Sequence, residues 1–435
     1  MATQSDRKVV IVGGGIAGLA AAWSLRDDDV CVLEADGRVG GRLKSEVRDP
    51  YWLNLGAHIL QDGGPMATLA AELGLSLVTP PGTFLATAMK GRIIRAGRAE
   101  AFFFRLPLSF AARLSLAQVG IRLILAGRQA ESKRAQLEQT TFANLLGPMH
   151  PDVESLMRVI ANRIGGELHE ISGYAGQAGF HHLWLGMRVN IRGGSARLPE
   201  ALHAALGSRT QTGARVICVT QLADCVEIEY ELAGERRHMK ALACVMAVPA
   251  PVARQLMSSL PPDLEEALGS VRYTPFVVAG IFTNETNPMP WDNLYALAVP
   301  GRSFCMLFNP SNALRDSRPR QPGGCLVVYA VAERAAQLLE LSDAAIQDRY
   351  LTDLYDILPQ TRGIVREVVI QRWPIGTFIG IPQRGKFREK LAARWGRTFF
   401  AGDYMMSLDG VDASQTGREA AHAVRAFLTH EERIL

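Results

Sequence analysis

The stretch Val9-Val10-Ile11-Val12-Gly13-Gly14-Gly15-Ile16-Ala17-Gly18, running into the alanine-rich segment Leu19 to Leu25, decides the fold. Four β-branched apolar residues in a row predict a strand buried on both faces. Leu19 to Leu25 predicts a helix, ended by Asp27-Asp28-Asp29, and Val30-Cys31-Val32-Leu33 predicts a second buried strand closed by Glu34 and Ala35. In such a unit each glycine has a task. Gly13 allows the tight turn, Gly15 lets a pyrophosphate reach the backbone, and Gly18 lets helix and strand pack closely. The helix start at Ile16 and Ala17 offers free N–H groups and the positive end of the helix dipole to phosphate. Glu34 lies 16 residues after Gly18, at the strand tip. A carboxylate there accepts from a ribose 2′-OH and repels a 2′-phosphate, which favours FAD or NAD over NADP.

The next residues separate FAD from NAD. Ala35-Asp36-Gly37-Arg38-Val39-Gly40-Gly41-Arg42-Leu43 adds a second glycine pair and an arginine suited to pyrophosphate or ribose. The combined signature, GGGIAGLAAA at 13–22 and VLEADGRVGGRL at 32–43, resembles that of FAD enzymes in the amine oxidase, protoporphyrinogen oxidase and carotenoid desaturase superfamily. The resemblance implies an α/β protein: a Rossmann-type FAD-binding domain with an inserted α+β substrate domain.

Two later regions extend the resemblance. Gly213 to Val219, the alternating run Cys225 to Tyr230, and Ala243 to Val248 before Pro249 look like the family's middle FAD segment. That likeness implies that Val216 contacts the adenine region through its backbone or its side chain. Arg192-Gly193-Gly194-Ser195 is similar to the glycine pair at the return into the FAD domain. At the C-terminus, Arg397 to Asp403 and Gly410-Val411-Asp412-Ala413, leading into a helix over 414–428, are similar to the family's ending. Gly402 and Asp403 are thereby expected at the ribityl or pyrophosphate region. The helix start near Val411 is expected to aim backbone N–H at the flavin's pyrimidine end, where negative charge collects on reduction. Val411-Asp412 and Gln415-Thr416-Gly417 depart from the family pattern. The implied domains are 1–85, 189–262 and 385–435 for FAD, and 86–188 and 263–384 for substrate.

Composition narrows the rest. A formal net charge of +4, scattered along the chain, argues against nucleic acid as a partner. Six cysteines without C-x-x-C spacing predict buried, reduced thiols and a cytoplasmic protein. The nine histidines show no metal spacing. No apolar segment precedes the first strand, so no signal peptide is expected. The segment Ala101–Gly127 is apolar, but Arg105, Arg113 and Arg122 interrupt it. It predicts either a half-buried helix walling a cavity or a helix lying on a membrane surface, rather than a span.

For chemistry, a flavin needs only the substrate C–H oriented over N5, with water excluded. By the resemblance, Gly56 and Ala57 line the flavin ring and His58 faces both flavin and substrate, or else is a structural histidine. Trp373 and Tyr404 are candidates for an aromatic wall or for ordinary core packing. The strand Val271–Gly280 carries no lysine, unlike many amine oxidases, and no cysteine follows Cys325, so non-covalent FAD is expected. The substrate is a small or medium organic molecule oxidised at a C–N or C–C bond. The alternatives are a non-oxidative isomerase or dehydroxylase, and a membrane-surface desaturase of an isoprenoid or porphyrin.

Overall fold

The computed structural model describes residues 7–83, 86–95, 104–129, 132–182, 188–315, 319–406 and 412–434. The strand Arg7–Val12 sits inside a seven-stranded sheet, parallel to Val30–Leu33 on one side and to the far half of Glu235–Met246 on the other. Side chains alternate across a strand, so Val9 and Ile11 enter one core while Val10 and Val12 enter another. Both faces are therefore covered, as a run of four apolar residues requires.

The strand Glu235–Met246 has two roles. Its first half pairs antiparallel with Val226–Leu232, which pairs in turn with Ala214–Gln221. Its second half pairs parallel with Arg7–Val12 and with Thr398–Phe400. This sheet thus gathers strands from near residues 7–33, 210–246 and 398–400. A second seven-stranded sheet runs in the order 365–378, 273–283, 324–331, 306–308, 296–298, 86–89, 92–95.

One face of the first sheet carries the helix Ile16–Ser24, packed on the C-terminal helix Ala413–Ile434. Two glycines set how closely this helix packs. A Cβ on Gly18 would lie 2.0 Å from the Gly13 carbonyl oxygen at the end of the first strand, and one on Gly417 of the C-terminal helix would lie 2.0 Å from the carbonyl oxygen of Ala17. Gly417, one of the departures from the family pattern, is therefore what lets the two helix backbones touch.

The expected apolar helix spans Phe110–Arg128, with 101–103 outside the described residues. By length and composition it reaches what a bilayer span needs, with a mean hydropathy of 1.4. Its face of Ala112, Leu116, Val119 and Leu123 packs with Phe142, Leu156 and Ile160. It is half-buried, and none of its residues lines the large cavity described below. The opposite face exposes Phe110, Leu114, Ile121, Ile124 and Leu125.

Gly417→Ala is expected to force the helices apart and destabilise the protein by about 1–3 kcal/mol, read as a lower urea midpoint. Gly37→Ala, whose Cβ would meet nothing within 4 Å, should leave the midpoint unchanged.

Candidate active site

At the end of the first strand Gly13 has φ +105°, and a Cβ there would lie 2.8 Å from the Ala247 carbonyl oxygen. Only glycine fits this turn. Gly15 is the N-cap of the following helix and brings no side chain to it. A Cβ on Gly15 would meet nothing within 4 Å, because it would project into a cavity that Gly13, Gly15, Ile16 and Ala17 line. Uncapped N–H groups facing open space form an anion site. Gly40 lies alongside, its N–H donating to the Gly14 carbonyl at 2.8 Å. Gly41 follows it into the wall.

Glu34 lines the same cavity. Its carboxylate accepts from the Gly14 N–H at 2.7 Å and from the Asp36 N–H at 2.8 Å. Burial raises its pKa, and those two N–H groups oppose the rise. Each oxygen keeps a further acceptor site for a ribose hydroxyl. Ala35 stands outside the wall.

Arg42 crosses the cavity. Its Nη1 donates to Asp403 Oδ2 at 2.7 Å and to the Gly376 carbonyl at 3.1 Å. Burial would lower the arginine's pKa, but the Asp403 carboxylate outweighs it and the net shift is upward. Tyr273 donates to the other oxygen, Asp403 Oδ1, at 2.8 Å. Sequence reading placed Arg42 and Asp403 separately on the cofactor; in the structure they are each other's partners. Tyr273 and Gly376, which complete the group, carry no sequence signal, because both belong to the distant second sheet.

The cavity has a volume of about 1380 Å³ and continues from Arg42 past Gly56, Ala57 and His58 to Phe276, Phe308, Tyr329 and Trp373. Sites for drug-sized ligands span roughly 300–1,000 Å³, so this one has room for a dinucleotide and a further molecule. A Cβ on Gly56 would lie 1.8 Å from the Arg42 carbonyl oxygen, which explains the glycine.

His58 Nδ1 lies 3.1 Å from the Gly56 carbonyl. A carbonyl only accepts, so Nδ1 carries the proton and Nε2 presents a lone pair. That Nε2 is buried and without a partner. Burial lowers the His58 pKa, so the ring is neutral at pH 7. Its edge meets Phe308, with centroids 4.9 Å apart. Asn190, in the orientation that satisfies its amide, donates to the His58 carbonyl at 2.8 Å and accepts from Tyr295.

Trp373 stands opposite Phe276 in the second sheet and donates its ring N–H to the Leu55 carbonyl at 2.7 Å. It therefore belongs to the aromatic wall beside His58. Tyr404 is 1% exposed in the core of the first sheet and also lines the cavity, which fits the core-packing alternative.

The Val216 side chain is buried with Ile228 and Tyr230 on the core face of its strand and is not part of the cavity wall, so of the two contacts expected of it only the backbone one remains open. Val411 and Gly410 lie outside the described residues. The helix start beside them is capped by Asp412, whose Oδ1 accepts from the N–H groups of Ser414 and Gln415 at 2.9 and 3.1 Å. Those two N–H groups are therefore spoken for. Thr416, another departure, accepts from the Gly402 N–H at 3.0 Å and so holds Gly402 in the wall. Arg163 also lines the cavity. It closes an ordinary amphipathic helix, Pro151–Arg163, and nothing in its local sequence marks it.

The depressed His58 pKa has a sign. The unfolded chain takes up a proton near pH 6.5 that the folded chain resists, so stability falls as pH drops below about 6.5. His58→Gln should lessen that acid-side loss, which has a slope of at most about 1.4 kcal/mol per pH unit. Urea midpoints measured from pH 7.5 to 5 read it; parallel curves for the two proteins would refute the assignment.

The sequence profile of the flavin containing amine oxidoreductase family matches residues 16–425. The chain is 24% identical to an L-amino-acid oxidase of Demansia vestigiata over 474 aligned positions, covering 99% of this chain and 89% of that one. It is 40% identical over 74 residues to protoporphyrinogen oxidase 2, chloroplastic/mitochondrial, of Arabidopsis thaliana, covering 16% of this chain and 15% of that one. The solved cyclohexylamine oxidase from Brevibacterium oxydans IH-35A superposes with a TM-score of 0.79 at 20% identity, covering 98% of this chain and all of that one, which shows a shared fold. With a glycine-rich turn, an acid-tipped second strand and a cavity built between two sheets, the chain belongs to the flavin containing amine oxidoreductase family and is an FAD-dependent oxidoreductase.

Proposed function

We propose that this enzyme oxidises the C–N bond of an amine, with FAD held non-covalently at the glycine-turn end of the cavity. The observation that carries this reading is the single cavity joining Gly15 and Glu34 to the neutral, unpartnered Nε2 of His58 among aromatic side chains. The full-length match to an L-amino-acid oxidase supports it.

The bound flavin supplies the acceptor for the hydride; the protein's own groups do the rest. The Ile16–Ser24 helix start and Gly40-Gly41 hold phosphate. Glu34 takes the ribose hydroxyls. Asp403 keeps Arg42 charged beside them. An ammonium ion cannot give up hydride from its neighbouring carbon until it loses a proton, and His58 Nε2 is the acceptor for that proton. Phe276, Phe308, Tyr329 and Trp373 exclude water and orient the C–H bond.

A second reading, C–C desaturation, is supported by the absence of lysine from Tyr273–Thr283 and by the local match to protoporphyrinogen oxidase. Free cysteines support work in the cytoplasm. The exposed row of Phe110, Leu114, Ile121, Ile124 and Leu125, with Arg105, Arg113 and Arg128 also exposed, suits the surface of an anionic bilayer.

Three measurements test these points. Purified protein should be yellow, and acid precipitation should leave the flavin in the supernatant; flavin in the pellet would refute non-covalent binding. Under anaerobic conditions amines should bleach the flavin, and His58→Gln should shift the pH profile of bleaching and slow it roughly 10²–10⁴-fold. Bleaching by an unsaturable C–C substrate alone would select the second reading. Vesicles rich in phosphatidylserine should co-sediment with the protein, and Ile121→Glu with Leu125→Glu should abolish this.

A further inference from the structure

One wall of the cavity carries a charge that nothing among the described residues balances. Arg163 lines it, and its Nη1 is buried without a hydrogen-bond partner. The acids near this helix end are already engaged. Glu154 and Glu167 pair with Arg158 at 3.4 and 3.5 Å, and Glu167 also accepts from Asn162. Burial lowers the Arg163 pKa, and only Tyr329 and Cys305 oppose it. Both of those are neutral at pH 7, with burial holding the Cys305 thiol at about 12. Arg188 adds a like charge nearby. A guanidinium nevertheless stays protonated.

A buried cation with no counter-charge costs several kcal/mol. A fold retains such a defect where a ligand supplies the missing partner. The surroundings describe the rest of that ligand. Tyr329 stacks on Phe308 at 6.0 Å and meets Phe276 at 5.4 Å, so the space beside the guanidinium is apolar and aromatic. His58, whose buried Nε2 has no partner among the described residues, lines the same cavity. One molecule with an anionic group, an amine and an apolar side chain matches all three.

We propose that Arg163 binds a substrate carboxylate, so that the amine oxidised here is an amino acid with an apolar or aromatic side chain. This rests on the amine-oxidation reading above. The planar guanidinium donates to both carboxylate oxygens, which fixes one end of the substrate while the aromatic wall holds the other. A plain amine lacks that anchor and leaves the cation unpaired.

The test uses flavin-loaded enzyme, matched ligands and two readouts. Anaerobic bleaching compares L-phenylalanine with phenethylamine and L-leucine with 3-methylbutylamine. Calorimetric titration with 3-phenylpropionate, which has the carboxylate but no amine, reads binding without turnover. Wild type should prefer the carboxylated member of each pair. Arg163→Gln should weaken phenylalanine and 3-phenylpropionate roughly 10- to 100-fold, with a loss for phenethylamine about tenfold smaller. Arg163→Lys should restore part of the affinity, and flavin content should not change. Equal losses for acid and amine, or unchanged binding of 3-phenylpropionate, would overturn the proposal. Failure of every amine to bleach the flavin would instead overturn the amine-oxidation reading, while the titration still reports on Arg163.

Discussion

The ion pair between Arg42 and Asp403 is the constraint on which the site depends. Arg42 follows the second strand, Asp403 lies three residues beyond the strand Thr398–Phe400, and Tyr273 and the Gly376 carbonyl reach in from the second sheet. Segments far apart in sequence are joined at one point, and the cavity opens on either side of it. Taking two charges out of water is expensive, and it is offset only when the remaining donors and acceptors are satisfied. Here both Asp403 oxygens are used and the guanidinium has a second acceptor. Losing one partner would leave an uncompensated charge, at a cost of about 3–5 kcal/mol. The pair therefore fixes how the two sheets meet before any cofactor arrives.

A division of labour follows along the cavity. At one end three groups find their partners in the protein: Glu34 in backbone N–H groups, Asp403 in Arg42 and Tyr273, and Gly402 in Thr416. At the other end His58 Nε2 and Arg163 Nη1 have no partner. Such groups weaken the folded state, and their desolvation strengthens every electrostatic contact that a substrate makes there.

The dinucleotide half of the site is legible in the sequence because its requirements are local. Gly13, Gly15, Gly18 and Glu34 act within one strand–turn–helix–strand unit, so spacing alone identifies them. Gly40, Gly41, Gly56, Ala57 and His58 also reached the cavity wall. Trp373 reached it because its strand pairs with Tyr273–Thr283. A side chain's direction is less legible where it depends on a neighbouring element. The Val216 side chain alternates toward the core of its sheet, and Tyr404 packs in the same core while also reaching the cavity. Asp412, read as a departure from the family pattern, proves to cap the last helix.

By itself the sequence determined the nucleotide-binding unit, the choice of FAD and the family, because turn geometry and backbone approach to phosphate admit only certain residues at fixed spacing. Only the tertiary structure decided what the substrate meets. Arg163 reads locally as one more basic residue in the last turn of a helix, and Tyr329 and Phe308 read as strand residues. Whether a guanidinium finds a carboxylate, or a ring faces solvent, core or cavity, depends on which segments fold against it. That is a long-range property of packing that no short motif encodes.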